Sequence, residues 1–142
     1  MTKATRDLPI GYEIPQRTYS ITQEKINVYS RYVFYGKDTK NIHTDEETAK
    51  RAGLPGPVAQ GRYPLTYLTE AMLRFFGEGW IYGGKIDVAL TKIIVPGDTV
   101  TIKGVVKEKV EEEDAVRLVL DVWLENQKGE KAIAGTASGL VP

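Results

Sequence analysis

A carboxylate and an imidazole, Asp38 and His43, stand in one short segment, Tyr35-Gly36-Lys37-Asp38-Thr39-Lys40-Asn41-Ile42-His43. Side chains this close can share one water molecule, take a proton from it and give one back, which is the core of general acid–base chemistry. His43 is the only histidine and the chain has no cysteine. A multi-His metal site within one chain, Cys-ligated zinc, a thiolate nucleophile and disulfides are therefore excluded. On spacing alone, a loop Asp capping backbone N–H groups and a His packed at a helix start is the commoner arrangement. The surrounding elements have to decide between the two.

On the N-terminal side, residues 1–15 read as an extended arm with Pro9, Gly11 and Pro15. Arg17–Ile21 alternates as a short strand. Thr22 then serves as the N-cap of a helix, with Ile21 and Ile26 as a hydrophobic staple. Ile26, Tyr29 and Val33 follow at helical spacing, so that face should be buried. Gly36 ends the helix, and the Asp38–His43 segment follows. On the other side, Thr44-Asp45-Glu46-Glu47 reads as a capping box with Thr44 as N-cap. That short helix stops at Ala52-Gly53, and Leu54-Pro55-Gly56-Pro57 makes a rigid turn. The pair is thus held in a bend between two helices.

The most apolar helix runs from Gly61 to about Phe76, with Leu65, Leu68, Met72 and Phe75/Phe76 in one stripe. Pro64 is tolerated in its first turn, and Glu70 and Arg74 are spaced to pair on the opposite side. The rest of the chain reads as strand. Lys85–Leu90 leads into Ile93-Ile94-Val95, and Pro96-Gly97-Asp98 turns the chain into Val100–Val106. After the acidic turn Glu111–Asp114 comes an unbroken alternation from Val116 to Leu124. The last strand, Ala132–Val141, is rich in Ala and Gly, whose small side chains let a helix lie close. Helices gathered on one side of an antiparallel sheet make an α+β domain. At 142 residues this is one domain, 1–142.

Lys+Arg and Asp+Glu both number 19, which argues against nucleic acid or an anionic membrane as partner. Met1–Asp7 has no apolar core like that of a signal peptide, and no apolar run is long enough to span a bilayer. The expectation is a cytoplasmic protein.

The ordered set of motifs resembles the MaoC-type hot-dog dehydratases, which include the (R)-specific enoyl-CoA hydratases. Their pattern is Gly-Asp-x-Asn-Pro-x-His, a short helix, a loop ending His-Gly-Met, and then the long helix. Here Asp38 and His43 keep the family spacing, and Gly53-Leu54-Pro55-Gly56-Pro57-Val58-Ala59-Gln60-Gly61 matches the loop and its closing glycine. Gly83–Val88 and Ile94-Val95-Pro96-Gly97-Asp98-Thr99-Val100 are similar to the later strand and turn. The resemblance implies a hot-dog fold, an antiparallel sheet wrapped around one long helix. It implies a hydro-lyase that adds or removes water across the 2,3 bond of an acyl thioester, 2-enoyl to 3-hydroxyacyl. Asp38 would be base to the water, and His43 would hold that water and help supply the proton to C2. The Gly61 N–H would donate to the thioester oxygen. Coenzyme A or acyl carrier protein enters as part of the substrate, with no further cofactor and no metal. A homodimer or higher assembly is implied, with two sheets joined edge to edge.

Three departures bear on the substrate. Lys40-Asn41 stands where the family has Asn-Pro, Gln60 where it has His, and Arg62 where an apolar residue follows the glycine. Gln60, Arg62, Tyr63 and Tyr35 are the candidate substrate-binding residues. Arg62 would suit a polar or carboxylate group, against the reading of a surface arginine. Tyr35 reads either as pocket lining or as a core aromatic, and Trp80 and Trp123 as packing or interface residues. Lys92, Lys103 and Lys107 could meet coenzyme A phosphates or simply guard strand edges. The alternatives to a hydratase are a non-catalytic acyl-binding hot-dog subunit and a hot-dog thioesterase.

Overall fold

The structure is a computed structural model that describes residues 4–142. Residues 1–3 of the expected N-terminal arm lie outside the described residues. The rest of the arm is tied along the sheet. Gly11 N–H donates to Val106 O at 2.7 Å and Ile14 N–H to Gly104 O at 2.9 Å, while Val106 N–H donates back to Tyr12 O. Ile14 is buried in the core as a result. Gly104 suits this crossing, because a Cβ there would stand 3.0 Å from Ile14 Cδ1.

The elements follow in the order β1 (Arg17–Ser20), α1 (Gln23–Val33), α2 (Glu46–Arg51), α3 (Arg62–Phe76), α4 (Glu78–Gly83), β2 (Lys85–Leu90), β3 (Thr99–Glu111), β4 (Val116–Glu125) and β5 (Lys131–Val141). The strands form one antiparallel sheet ordered β1-β3-β4-β5-β2. The alternation along β4 puts Leu118, Leu120, Val122 and Leu124 on the inner face, all buried. Against them α3 lays Leu68, Met72, Phe75 and Phe76, also buried. This is the hot-dog arrangement, one apolar helix with the sheet curled about it. The small residues of β5 serve the expected purpose, since a Cβ on Gly139 would fall 2.5 Å from the Phe76 ring.

Local chemistry explains most boundaries. Thr22 caps α1 by accepting from Lys25 N–H at 3.2 Å, and both staple residues, Ile21 and Ile26, are buried. Glu70 and Arg74 pair at 2.8 Å. Four expectations change. The N-cap of α2 is Asp45 rather than Thr44: its carboxylate accepts from Thr48 N–H at 3.0 Å and from the Thr48 hydroxyl at 2.6 Å. Thr44 is already committed, donating to Thr39 O at 2.6 Å and accepting from Asn41 N–H. Val33, expected in the core, is half exposed at the end of α1. Residues 91–95 do not continue β2. Ala59 N–H donates to Ile94 O at 2.7 Å, which ties this stretch to the loop before α3.

The fourth change is α4, unexpected because its sequence Glu-Gly-Trp-Ile-Tyr-Gly carries two glycines, poor helix formers. Packing requires them. A Cβ on Gly79 would lie 1.8 Å from Leu140 O, so α4 can rest on β5 only without one. Arg117, largely buried, reinforces the contact by donating to Gly83 O at 2.8 Å and to Ser138 Oγ at 3.0 Å.

Candidate active site

His43 is positioned from three sides. Its backbone N–H donates to Asn41 Oδ1 at 2.8 Å, and its carbonyl accepts from Gln23 Nε2 of α1 at 2.8 Å. The ring nitrogen Nδ1 lies 2.8 Å from Val58 O. A carbonyl oxygen only accepts, so Nδ1 carries the hydrogen, and the tautomer this selects has its lone pair at Nε2. Among the described residues no protein group takes that lone pair. The ring lines a cavity of about 420 Å³ walled by Val33, Phe34, Ile42, Thr48 and Gln60. The half-exposed Val33 thus belongs to the wall of this cavity.

Asn41 takes over the work of the family's proline. Its Nδ2 donates to Thr39 Oγ1 at 2.8 Å and to Ser30 Oγ at 3.3 Å, while its Oδ1 holds the His43 N–H. The loop is fixed by hydrogen bonds instead of by a ring.

Asp38 stands apart from the cavity. Its side chain is 86% exposed and pairs with Arg31 Nε at 3.0 Å. The cause lies just before it in the chain. Tyr35 and Gly36 both take positive φ, 56° and 84°, and fold the chain back over the end of α1, where Gly36 N–H donates to Arg31 O. A positive φ is unusual for an aromatic residue and marks a strained turn. Tyr35 itself is 95% exposed and lines no cavity beside His43, so it is not a core aromatic.

Gly61 is the N-cap of α3, at φ −60° and ψ −38°. Any residue adopts those angles, so turn conformation does not explain the glycine. A Cβ would lie 2.4 Å from Leu90 Cδ2, the end of a flexible side chain, at the rim of a second cavity of about 320 Å³. That cavity is lined by Gln60, Gly61, Pro64, Leu90, Ile93 and Ile133. The Gly61 N–H makes no hydrogen bond to the described residues, and a helix start favours negative charge there. Gln60 lines both cavities, one with His43 on its wall and the other with Gly61.

The other candidates are more dispersed. Arg62 is exposed and has no carboxylate partner among the described residues. Tyr63 is buried behind the site, with its hydroxyl 2.8 Å from that of Tyr67 and its ring stacked on Tyr29. Burial, and then the bond to Tyr67, push its phenol well above the usual value. Lys92, Lys103 and Lys107 pair with Glu130, Glu125 and Asp121. Trp80 stacks on Phe76, and Lys131 lies over the Trp123 ring. Sequence reasoning passed over Val58 and Asn41, whose roles come through a backbone carbonyl and a loop amide. Among the described residues no three His, Asp or Glu side chains come together as metal ligands would, and no helix is long and apolar enough to cross a membrane.

Comparison with known structures agrees with the fold. A monoamine oxidase regulatory protein from Archaeoglobus superposes with a TM-score of 0.80 at 22% identity, covering 99% of this chain and 95% of that one. The R-hydratase PhaJ1 from Pseudomonas aeruginosa gives 0.76 at 19% identity, over 96% of this chain and 83% of that one. The (R)-hydratase from A. caviae involved in PHA biosynthesis gives 0.75 at 16%, over 97% and 100%. Among curated protein sequences no match is found. The family model for the MaoC like domain matches residues 8–125, and the chain belongs to the MaoC-like domain family.

Proposed function

We propose that this protein is an acyl-thioester hydratase/dehydratase, interconverting 2-enoyl and 3-hydroxyacyl thioesters of coenzyme A or acyl carrier protein. The observation that carries the reading is the His43 ring. Its Nδ1 is engaged by Val58 O, its Nε2 has no partner among the described residues, and the cavity that His43 lines shares Gln60 with the cavity at the unpaired Gly61 N–H. A proton acceptor and an oxyanion donor so disposed suit addition of water to a conjugated thioester. Negative charge gathers on the thioester oxygen as water adds at C3, and a donor placed there strengthens toward the transition state. His43 Nε2 receives the proton of the water, the role that the resemblance gave to Asp38, because Asp38 stands outside the cavity that His43 lines. Asp38 completes the pair by turning in from Arg31 when the acyl group fills the cavity. An exposed ion pair of that kind is worth roughly 0–1 kcal/mol, so releasing it costs little against a catalytic barrier.

The (R)-hydratase neighbours and the family membership support this reading. The working form is a dimer. The edge strand β2 leaves one row of backbone donors and acceptors unpaired and carries exposed apolar side chains, Ile86 and Leu90, beside Ile81 and Tyr82 of α4. Edges like this pair with another chain.

A second reading rests on Asp38. Its outward position, held by Arg31, suits a subunit that binds an acyl chain without turning it over. One experiment decides. The protein is incubated with a panel of 2-enoyl and 3-hydroxyacyl coenzyme A thioesters while enoyl absorbance and free thiol are followed. Reversible loss of enoyl absorbance, abolished in His43→Gln and in Asp38→Asn, is the expected result. Binding without turnover would replace it with the subunit reading, and thiol release would mean a thioesterase.

A further inference from the structure

Gln60 has an acceptor with nothing to accept. Its Nε2 donates to the carbonyl of Ile26 at 3.1 Å, which fixes the orientation of the amide. The other end, Oε1, is closed off from bulk solvent and has no donor from the protein. It is the one buried side-chain polar atom in that condition among the described residues. Buried acceptors are nearly always satisfied, so an orphan at a candidate site points to a ligand. On the shared cavity wall the Asn41 amide and the Thr48 hydroxyl donate elsewhere, and the Ser30 hydroxyl, which accepts from Asn41, does not reach Oε1. Asn41 Nδ2 serves Thr39 and Ser30, and the Thr48 hydroxyl serves Asp45. His43 Nε2 on the same wall is an acceptor too. Two free acceptors on an apolar-walled cavity call for one small molecule with two donors.

We infer that Gln60 Oε1 and His43 Nε2 together hold the reacting water, each accepting one of its O–H groups. The inference rests on the hydratase reading and deepens it by adding Gln60 to the groups that touch the reacting atoms. A water with both hydrogens engaged turns its lone pairs away from the two acceptors and toward C3. In hydration, a lone pair of the water oxygen forms the O–C3 bond and the C2=C3 pair moves through C1 onto the thioester oxygen. The proton facing His43 passes to Nε2, and the other stays on the new hydroxyl, held by Gln60. His43 passes the proton it has taken to Asp38 once that carboxylate has turned in, and Asp38 delivers it to C2, so only water is consumed. In dehydration the protonated Nε2 gives its hydrogen to the leaving hydroxyl, whose own hydrogen Gln60 retains. An amide cannot take up a proton at neutral pH. Gln60 therefore orients the water without competing with His43 for its proton.

The test compares Gln60→Met, which has neither amide group, with Gln60→His, which offers one ring nitrogen to Ile26 O and the other to water. On 2-butenoyl-coenzyme A, Gln60→Met should lower kcat about tenfold or more, the scale of one lost oriented hydrogen bond, with KM changed less than about threefold. Gln60→His should recover most of that loss. A purely structural role would raise KM and lower kcat together, and that pattern, or a Gln60→Met enzyme with unchanged kcat, overturns the inference. A crystal structure reads the contact without turnover. A water within hydrogen-bond reach of both Gln60 Oε1 and His43 Nε2 upholds it, and a protein donor on Oε1 overturns it. An inactive wild type with the bridging water would sink the hydratase reading alone; an active wild type without it would sink the role of Gln60 alone.

Discussion

At Gly61 the backbone N–H and the missing side chain can be altered separately. Its φ of −60° already matches the angle a proline ring imposes. Its N–H has no protein partner to lose, and helix starts accept proline. A Cβ on any replacement meets only Leu90 Cδ2, the far end of a flexible side chain, and does so equally in an alanine and a proline variant. Gly61→Ala therefore adds the Cβ and keeps the N–H, whereas Gly61→Pro adds the Cβ and removes the N–H. The ratio of the two isolates the donor. Loss of one oxyanion donor costs about 3 kcal/mol of barrier, or roughly 100-fold in kcat. Gly61→Pro should fall by about that factor relative to Gly61→Ala, measured as the initial rate of enoyl absorbance loss under saturating thioester. Melting temperatures of the two variants should agree within about 3 °C, a difference of roughly 1 kcal/mol at this chain length. Equal kcat values in two equally stable variants would refute the oxyanion role of the Gly61 N–H.

Gly79→Ala should destabilise by about 3 kcal/mol, seen as a fall of roughly 10 °C in melting temperature, because its Cβ would strike the Leu140 backbone carbonyl, which cannot move aside as a side chain can. A neutral result would mean that α4 does not rest on β5. Arg31→Gln should leave stability within about 1 kcal/mol and kcat at or above the wild-type value, since it frees Asp38; a tenfold loss of kcat would show that the ion pair belongs to the working enzyme. Asp45, Glu125 and Glu130 are held below their ordinary values, first by Thr48, Lys103 and Lys92 respectively. Their contribution to stability is complete above pH 4.5 and is lost as the pH falls through the lowered folded values. The melting temperature should therefore drop on acidification below pH 4.5, and Lys103→Met should make that drop shallower by releasing Glu125.

The fold was legible wherever a periodic apolar pattern met a packing surface. The alternation along β4 and the stripe of α3 each find their partner in the other, and Thr22 caps α1 from its sequence position alone. Reading failed where a tertiary contact overruled local preference. The two glycines of α4 argue against a helix until Leu140 is seen to need their missing side chains. Ile93-Ile94-Val95 has strand composition, yet Ala59 holds its backbone away from the sheet. The capping box slipped by one residue because the Thr44 hydroxyl was taken by Thr39, a competition invisible to a four-residue pattern.

The Asp38–His43 pair divides along the same line. His43 is fixed by backbone groups that the chain order brings to it, Val58 O above all, so its position follows from the loop and helix around it. Asp38 follows the strained Tyr35-Gly36 turn and is held outward by a single exposed arginine. A rigid acceptor beside a loosely held carboxylate suits a site in which the water is placed before the acid arrives. The orphaned Gln60 oxygen is the group that placement requires, and it stands where the family's histidine would be expected. On the proposed reading, glutamine at residue 60 keeps an acceptor at the water and leaves the proton transfer to His43.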